Sequence, residues 1–241
     1  MGYQTATPRE PRMSDYVFTP PPVPSAAVAG TEARFPVRRI FCVGRNYAAH
    51  TREMGHDPDR EPPFFFGKPP SEIAHAGEDI AYPPETADLH YEGEMVVALG
   101  SGGRDISEDD ALSHVWGYGV GNDLTRRDVQ GVAKKMGRPW DWGKGFDKAA
   151  VIGPIHPVSA TGHLDRGYVR SWVNGELRQD GDLAQMIWNV RETISFISRS
   201  MRVDAGDLIM TGTPAGVGKL ERGDEIRVAV EGLGEITNRI V

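Results

Sequence analysis

The sequence predicts an α+β fold that is mostly β, with a few short helices and one longer core-facing helix. Three observations carry this expectation. Short runs rich in β-branched and apolar residues recur along the chain, each bounded by glycine or proline, the pattern of strands and turns. Asn174-Gly175, between two such runs, is a two-residue hairpin signal. Only Leu183 to Met201 sustains a helical stripe, with Leu183, Ile187, Val190, Ile194, Ile197 and Met201 three or four apart.

Taken in order, residues 1–34 hold Pro8, Pro11, Pro20, Pro21, Pro22 and Pro24 and few apolar residues in periodic order, so an arm without a core of its own is expected. Met13, before Ser14-Asp15-Tyr16, is a candidate natural start, which would make residues 1–12 a leader. A strand is expected from Phe35 to Val43, followed by a short helix ended by Gly55. His50 and Glu53, three apart, share a face of that helix, either as an ordinary surface pair or as a catalytic one. His56 to Pro63 is charged and proline-broken, the composition of a loop or lid. Phe64-Phe65-Phe66 reads as an aromatic strand stopped by Pro69, and Ile80 to Pro84 as an edge strand.

Tyr91 to Leu99 reads as a strand, and side-chain alternation puts Glu92, Glu94, Val96 and Ala98 on one face. If Val96 and Ala98 mark that face as covered, two like charges there are costly unless something positive meets them. On an open face they are simply two solvated carboxylates. A third acid, Asp123, stands where the run Gly117 to Gly121 gives way to a polar helix start. Three carboxylates with no nearby cysteine and no evident histidine pair form an oxygen-only donor set, suited to Mg²⁺, Mn²⁺ or Ca²⁺ rather than zinc.

Ser107 is placed to cap a helix whose first turn carries Glu108, Asp109 and Asp110. Thr125 to Met136 is helical in character, stopped by Gly137 and Pro139, with Arg127 and Gln130 three apart on one face. Lys144 lies between Gly143 and Gly145, a composition shared by ordinary loops and by places where a ligand approaches closely. Val151 to Val158 and Val169 to Val173 read as strands, and Asp182 as the cap of the long helix. Leu208 to Lys219 invites a phosphate-loop reading that fails: five residues separate Gly212 from Gly218, and Leu220 stands where a hydroxyl residue is needed. It reads better as a buried strand opening into a glycine-rich loop, followed by closing strands over Asp224 to Val230 and Gly234 to Val241. No repeat or linker divides residues 35–241, which are expected to form one domain.

Composition narrows the function classes. With 39% hydrophobic and 25% charged residues, the 241-residue chain has the make-up of a soluble globular protein with a substantial core. No apolar run approaches the roughly 20 residues of a membrane span, and no signal peptide is visible. The single cysteine, Cys42, sits in the apolar run Ile40 to Val43 and reads as a buried hydrophobe; one thiol forms no internal disulfide, compatible with a cytoplasmic location. A net charge of -7 argues against a nucleic-acid partner.

Together the motifs resemble a known family. Gly44-Arg45-Asn46-Tyr47 with His50 and Glu53, Phe66-Gly67-Lys68-Pro69, Glu92-Gly93-Glu94, Asp123 with Arg127 to Gln130, Lys144-Gly145-Phe146-Asp147 and Thr211-Gly212-Thr213-Pro214 are similar, in order, to the signature set of the fumarylacetoacetate hydrolase family. The resemblance spans residues 36–241. Arg38-Arg39-Ile40, Asp88-Leu89-His90 and Gly181-Asp182-Leu183 most resemble the bacterial branch acting on fumarylpyruvate in gentisate-type aromatic degradation.

The resemblance implies a β-roll, a homodimer, and Mg²⁺ or Mn²⁺ held by Glu92, Glu94 and Asp123. It implies carbon–carbon bond hydrolysis of a 2-oxo acid substrate, an acylpyruvate, with fumarylpyruvate giving fumarate and pyruvate. In that scheme His50, held by Glu53, activates water; Lys144 stabilises developing negative charge and Gln130 orients the substrate. Arg127, Gly212 and the backbone and hydroxyl of Thr213 hold the oxo-acid end, and Arg45 and Lys68 are candidates for the distal carboxylate. Oxaloacetate decarboxylase, a broad acylpyruvase, an oxo-acid isomerase of the same family and a cation-stabilised binding module are the alternatives. Two positions depart from the family pattern: Gly93, expected to loosen packing behind the ligands, and Gly145, where serine or another small residue is frequent.

Overall fold

The structure, a computed structural model, describes residues 16–48 and 61–241. The helix expected around His50 and Glu53, part of the loop that follows it, and residues 1–12 lie outside the described residues. The fold is α+β and mostly β, as expected. Its frame is an eight-stranded sheet in the order Phe64–Lys68, Arg39–Gly44, Asp207–Met210, Gly93–Leu99, Val115–Asp123, Ala150–Ile152 and Ile73–His75, with His156–Pro157 also pairing along Val115–Asp123. A five-stranded sheet packs on it, in the order Glu176–Asp182, Tyr168–Val173, Glu225–Val230, Gly234–Ile240 and Asp79–Ile80.

The central strand Gly93–Leu99 is buried at every residue. That explains its near-continuous apolar sequence, because a strand covered on both faces has no exposed face to make polar. Met95, Val97 and Leu99 join the larger apolar cluster with Val228, Val230 and Ile236 of the five-stranded sheet. Val96 and Ala98 join a second cluster with Val28, Phe35, Ile40, Leu208 and Met210. The face that carries Glu94 is therefore covered. Its partner Val115–Asp123 lets this side close by alternating glycines: a Cβ on Gly121 would lie 2.6 Å from Val96 Cγ2, and one on Gly117 would lie 2.3 Å from the His156 carbonyl oxygen.

The hairpin forms as read, with positive φ at both Asn174 (51°) and Gly175 (82°) joining Tyr168–Val173 to Glu176–Asp182. Ser107 caps Glu108–Ala111 by accepting the Asp110 N–H. Several boundaries differ. The edge strand expected over Ile80 to Pro84 is only Asp79–Ile80, Val151 to Val158 divides into Ala150–Ile152 and His156–Pro157, and Thr125–Arg126 is a short strand that precedes the helix Arg127–Lys135. The long helix is Val190–Ser200 and does not begin at Leu183. Asp182 caps only a separate 3₁₀ turn, Leu183–Gln185, and Asn189 opens the helix through a capping box with Glu192. The apolar stripe ran through both segments because Leu183 and the helix pack on the same cluster. The strand expected from Phe35 to Val43 divides at Pro36: Arg34–Pro36 pairs with Ser25–Ala27, and Arg39–Gly44 enters the main sheet. Ala26 and Val28 are buried in the second cluster, so this short stretch packs on the body's core and has none of its own. Finally, the glutamate strand divides into Leu89–Tyr91 and Gly93–Leu99, with Glu92 at the junction. No helix of the described residues is long and apolar enough to cross a membrane.

Candidate metal centre

Strand register builds the site. Gly93 pairs with Asn122 and Glu94 with Gly121, which sets Glu92 opposite Asp123. The junction is closed by the Asp123 N–H donating to the Glu92 carbonyl (2.9 Å) and the Glu92 N–H donating to Asn122 Oδ1 (2.9 Å). Carboxylate oxygens of Glu92, Glu94 and Asp123 consequently lie within 4.8 Å of one another. These residues are only 6%, 2% and 0% exposed, so their charges meet little water.

Each acid is held differently. Lys144 Nζ donates to Glu92 Oε2 (2.8 Å) and Asp123 Oδ2 (2.9 Å). Arg127 donates to Glu92 Oε1 and, through Nη1, to Gln130 Oε1 (2.8 Å). Lys68 Nζ donates to the carbonyls of Leu124 (2.9 Å) and Lys144 and stands 2.8 Å from Asp123 Oδ1 as an ion pair, so that this buried oxygen has a charge beside it and no hydrogen bond of good geometry. Glu94 receives, among the described residues, the Gly212 N–H at 2.8 Å and no cation of its own. Burial, then the charges of Asp123 and Glu92, push its carboxyl well above the usual carboxylate range. Burial alone would lower the Lys144 ammonium, but Asp123 and Glu92 outweigh it and hold the group above its ordinary value.

The donor set fits a hard divalent cation. It is oxygen-only and dry, one acid lacks a counter-charge, and one buried carboxylate oxygen lacks a hydrogen bond, the conditions that Mg²⁺ or Mn²⁺ satisfies.

Two polar networks position this set. Gly212 adopts φ +91°, and a Cβ there would approach Asn46 Cβ to 2.7 Å, so glycine alone turns its N–H onto Glu94. Asn46, 1% exposed, holds that turn by donating to the Thr211 carbonyl (2.8 Å) and the Trp188 carbonyl (2.9 Å) and accepting the Trp188 N–H (2.7 Å). Gln179 donates to Thr213 Oγ1 and the Pro214 carbonyl, both at 2.8 Å, and accepts the Gly93 N–H (2.9 Å) and the Ser171 hydroxyl (2.7 Å). Gly93 therefore leaves no slack behind the ligands, contrary to expectation: a Cβ there would meet Ser171 Oγ at 2.3 Å. Gly145 is similarly close-packed, its Cβ position lying 3.1 Å from the Asp141 carbonyl oxygen.

Glu92, Glu94 and Lys144 line a cleft with Arg45, Phe66, Arg127, Gln130, Lys134 and Thr213. The structure thus brings together all three predicted ligands and Arg45, Arg127, Gln130, Lys144, Gly212 and Thr213. Two expectations change. The Lys68 side chain is fully buried against Asp123 and two carbonyls, so it steadies the ligand set and does not reach a distal carboxylate. The Thr213 hydroxyl is committed to Gln179 and, as donor, to the Gly93 carbonyl (2.9 Å), so any hold on a substrate falls to its backbone. His50 and Glu53 lie outside the described residues. Lys134 was missed, although its spacing of seven from Arg127 and four from Gln130 marks the same helix face. Gln179 and Asn122 carried no sequence signal, because their roles depend on strand pairing. Cys42 is buried, and its thiol is pushed up by that burial, as befits a packing residue.

Residues 39–241 match the family model of the fumarylacetoacetate (FAA) hydrolase C-terminal domain, and the chain belongs to that family. It is 42% identical over 186 residues to the fumarylpyruvate hydrolase of a Ralstonia species, covering 76% of this chain and 96% of that protein. It is 38% identical over 208 residues to the oxaloacetate tautomerase YcgM of Escherichia coli, covering 86% of this chain and 94% of that one. The crystal structure of fumarylpyruvate hydrolase from Pseudomonas aeruginosa in complex with Mn²⁺ and pyruvate superposes with a TM-score of 0.92 at 50% identity, covering 94% and 99% of the two chains.

Proposed function

We propose that the protein is a divalent-metal-dependent hydrolase that cleaves the carbon–carbon bond of an acylpyruvate, with fumarylpyruvate giving fumarate and pyruvate, as a step in gentisate-type aromatic degradation. The observation that carries this reading is the buried carboxylate triad opening on a cleft walled by Arg127, Gln130 and Lys144. A 2-oxo acid offers a carboxylate and a keto oxygen that a cation held by Glu92, Glu94 and Asp123 would chelate and, as a Lewis acid, polarise. Arg127, fixed by Glu92 and Gln130, offers its guanidinium edge to the oxo-acid carboxylate, and the Gly212-Thr213 backbone closes the opposite side. His50, held by Glu53, takes a proton from water as that water adds to the acyl carbonyl. Collapse of the adduct breaks the bond to the methylene carbon, the acyl group leaves as the carboxylate, and the pyruvate enolate takes up a proton at carbon. The Lys144 ammonium, poised beside the ligand carboxylates, counters the negative charge that builds during collapse. A homodimer belongs to the same reading, and sedimentation equilibrium tests it.

The similarity to the Escherichia coli oxaloacetate tautomerase favours a second reading, enolisation or decarboxylation of oxaloacetate. These reactions need enolate stabilisation but no attacking water. Steady-state assays of fumarylpyruvate, acetylpyruvate and oxaloacetate with Mn²⁺ separate them. The hydrolase reading expects pyruvate release from fumarylpyruvate to dominate, and His50→Ala to abolish it while sparing oxaloacetate turnover. Equal loss of both activities would overturn the role given to His50, and turnover of oxaloacetate alone would replace the proposal.

A further inference from the structure

The cleft carries more positive charge than a single oxo-acid carboxylate requires. Arg127, Gln130 and Lys134 follow one another on the helix Arg127–Lys135 and all line the cleft, with Arg45 joining them from the end of the strand Arg39–Gly44. Arg127 is engaged at the ligand end by Glu92, whereas among the described residues no carboxylate pairs with Lys134. Arg45 is a non-glycine residue with φ 54°, a conformation that carries backbone strain, and its guanidinium lies 5.4 Å from the centre of the Phe64 ring. Lys134 is half-buried, and burial, followed by the charges of Arg45 and Arg127, lowers its ammonium from the ordinary lysine value. Cations gathered on a partly dry wall repel one another, and an anion lying between them relieves that repulsion.

Spacing says which anion. Lys134 follows Arg127 by seven residues, on the order of 10 Å along a helix axis, the span of an extended seven-carbon diacid. We infer that Lys134, with Arg45 on the same cleft, forms a second anion subsite that holds the far carboxylate of a dicarboxylic acylpyruvate and makes the enzyme select such substrates over monocarboxylic ones. The inference rests on the acylpyruvate reading above and adds to it the length and charge of the acyl group. Neither residue touches the reacting atoms, so the subsite acts on binding.

The test compares wild type, Lys134→Met and Lys134→Arg, each loaded with Mn²⁺, on fumarylpyruvate and on acetylpyruvate, which lacks the far carboxylate. Loss of a charge-assisted contact is expected to raise KM for fumarylpyruvate about 10- to 100-fold in Lys134→Met, with a much smaller change in kcat. The preference for fumarylpyruvate over acetylpyruvate in kcat/KM should fall by the same factor, and Lys134→Arg should restore most of it. An equal loss on both substrates, or no loss on either, overturns the subsite. If wild type cleaves neither compound, the hydrolase proposal fails on its own. Equilibrium binding of the same two compounds then decides the subsite, which requires fumarylpyruvate to bind more tightly than acetylpyruvate and Lys134→Met to erase the difference.

Discussion

Glu94→Gln should make the metal-free protein more stable and the metal-loaded protein weaker in its hold on the ion. The substitution keeps side-chain size and an oxygen for the Gly212 N–H, and it removes a charge that Asp123 and Glu92 oppose in a site only 2% exposed. A buried group without compensation costs roughly 1–3 kcal/mol, so the variant should gain about that amount when chelator is present. For a chain of this length each 1 kcal/mol moves Tm by about 2–4 °C. The gain depends on pH. The folded-state carboxyl of Glu94 is raised above its unfolded value of about 4.3, so its contribution to stability is fully present below that value and is lost as pH rises through the folded one. The advantage of glutamine therefore grows with pH. With Mn²⁺ the effect runs the other way: at a hundredfold excess over Kd the wild type gains about 2.7 kcal/mol, whereas a variant whose Kd is a hundredfold weaker gains about 0.4 kcal/mol. Differential scanning calorimetry in chelator and in Mn²⁺ measures all four states. A variant less stable than wild type in chelator, with an undiminished response to Mn²⁺, would refute the reasoning, because ionised Glu94 would then be stabilised by the protein alone.

Other consequences follow from the same geometry. Because the Glu94 carboxyl retains its proton above the usual carboxylate range, Mn²⁺ binding should release protons as pH falls toward that range. Titration calorimetry in buffers of different ionisation enthalpy should show this as a slope, and a flat plot would count against it. Lys144→Met should lower kcat about 10²- to 10³-fold. In chelator it should also lose about 3–5 kcal/mol of stability, since it leaves Glu92 and Asp123 buried without their shared partner; denaturant unfolding checks the second effect. Gly93→Ala should cost about 1–3 kcal/mol through overpacking against Ser171 and Gln179, and a neutral result in thermal melts would show that this network yields more readily than its distances suggest.

Much of the site was legible in the sequence, for reasons that can be stated residue by residue. Alternation set Glu92 and Glu94 on one face, and Val96 and Ala98 marked that face as covered; the structure covers it, with Glu92 at the break between Leu89–Tyr91 and Gly93–Leu99. What alternation could not supply was the register that sets Asp123 against Glu92, because pairing between strands is a long-range property. The same limit hid Gln179, which binds Gly93 and Thr213 from far along the chain. Lys68 was misplaced for a different reason: a lysine in an aromatic strand gives no sign of whether its ammonium reaches solvent or, as here, two carbonyls and a carboxylate. The helix start at Asn189 is legible in the sequence, since Asn189 and Glu192 form the capping-box signature, but the apolar stripe continues N-terminal of it through Leu183 and Ile187 and masks the break.

Anomalous diffraction at the manganese edge, from crystals grown with Mn²⁺, addresses the central claim most directly. One strong peak is predicted, at about 2.0–2.3 Å from a carboxylate oxygen of each of Glu92, Glu94 and Asp123. A map with no peak between these three residues, and Lys144 still bridging Glu92 and Asp123, would contradict the account.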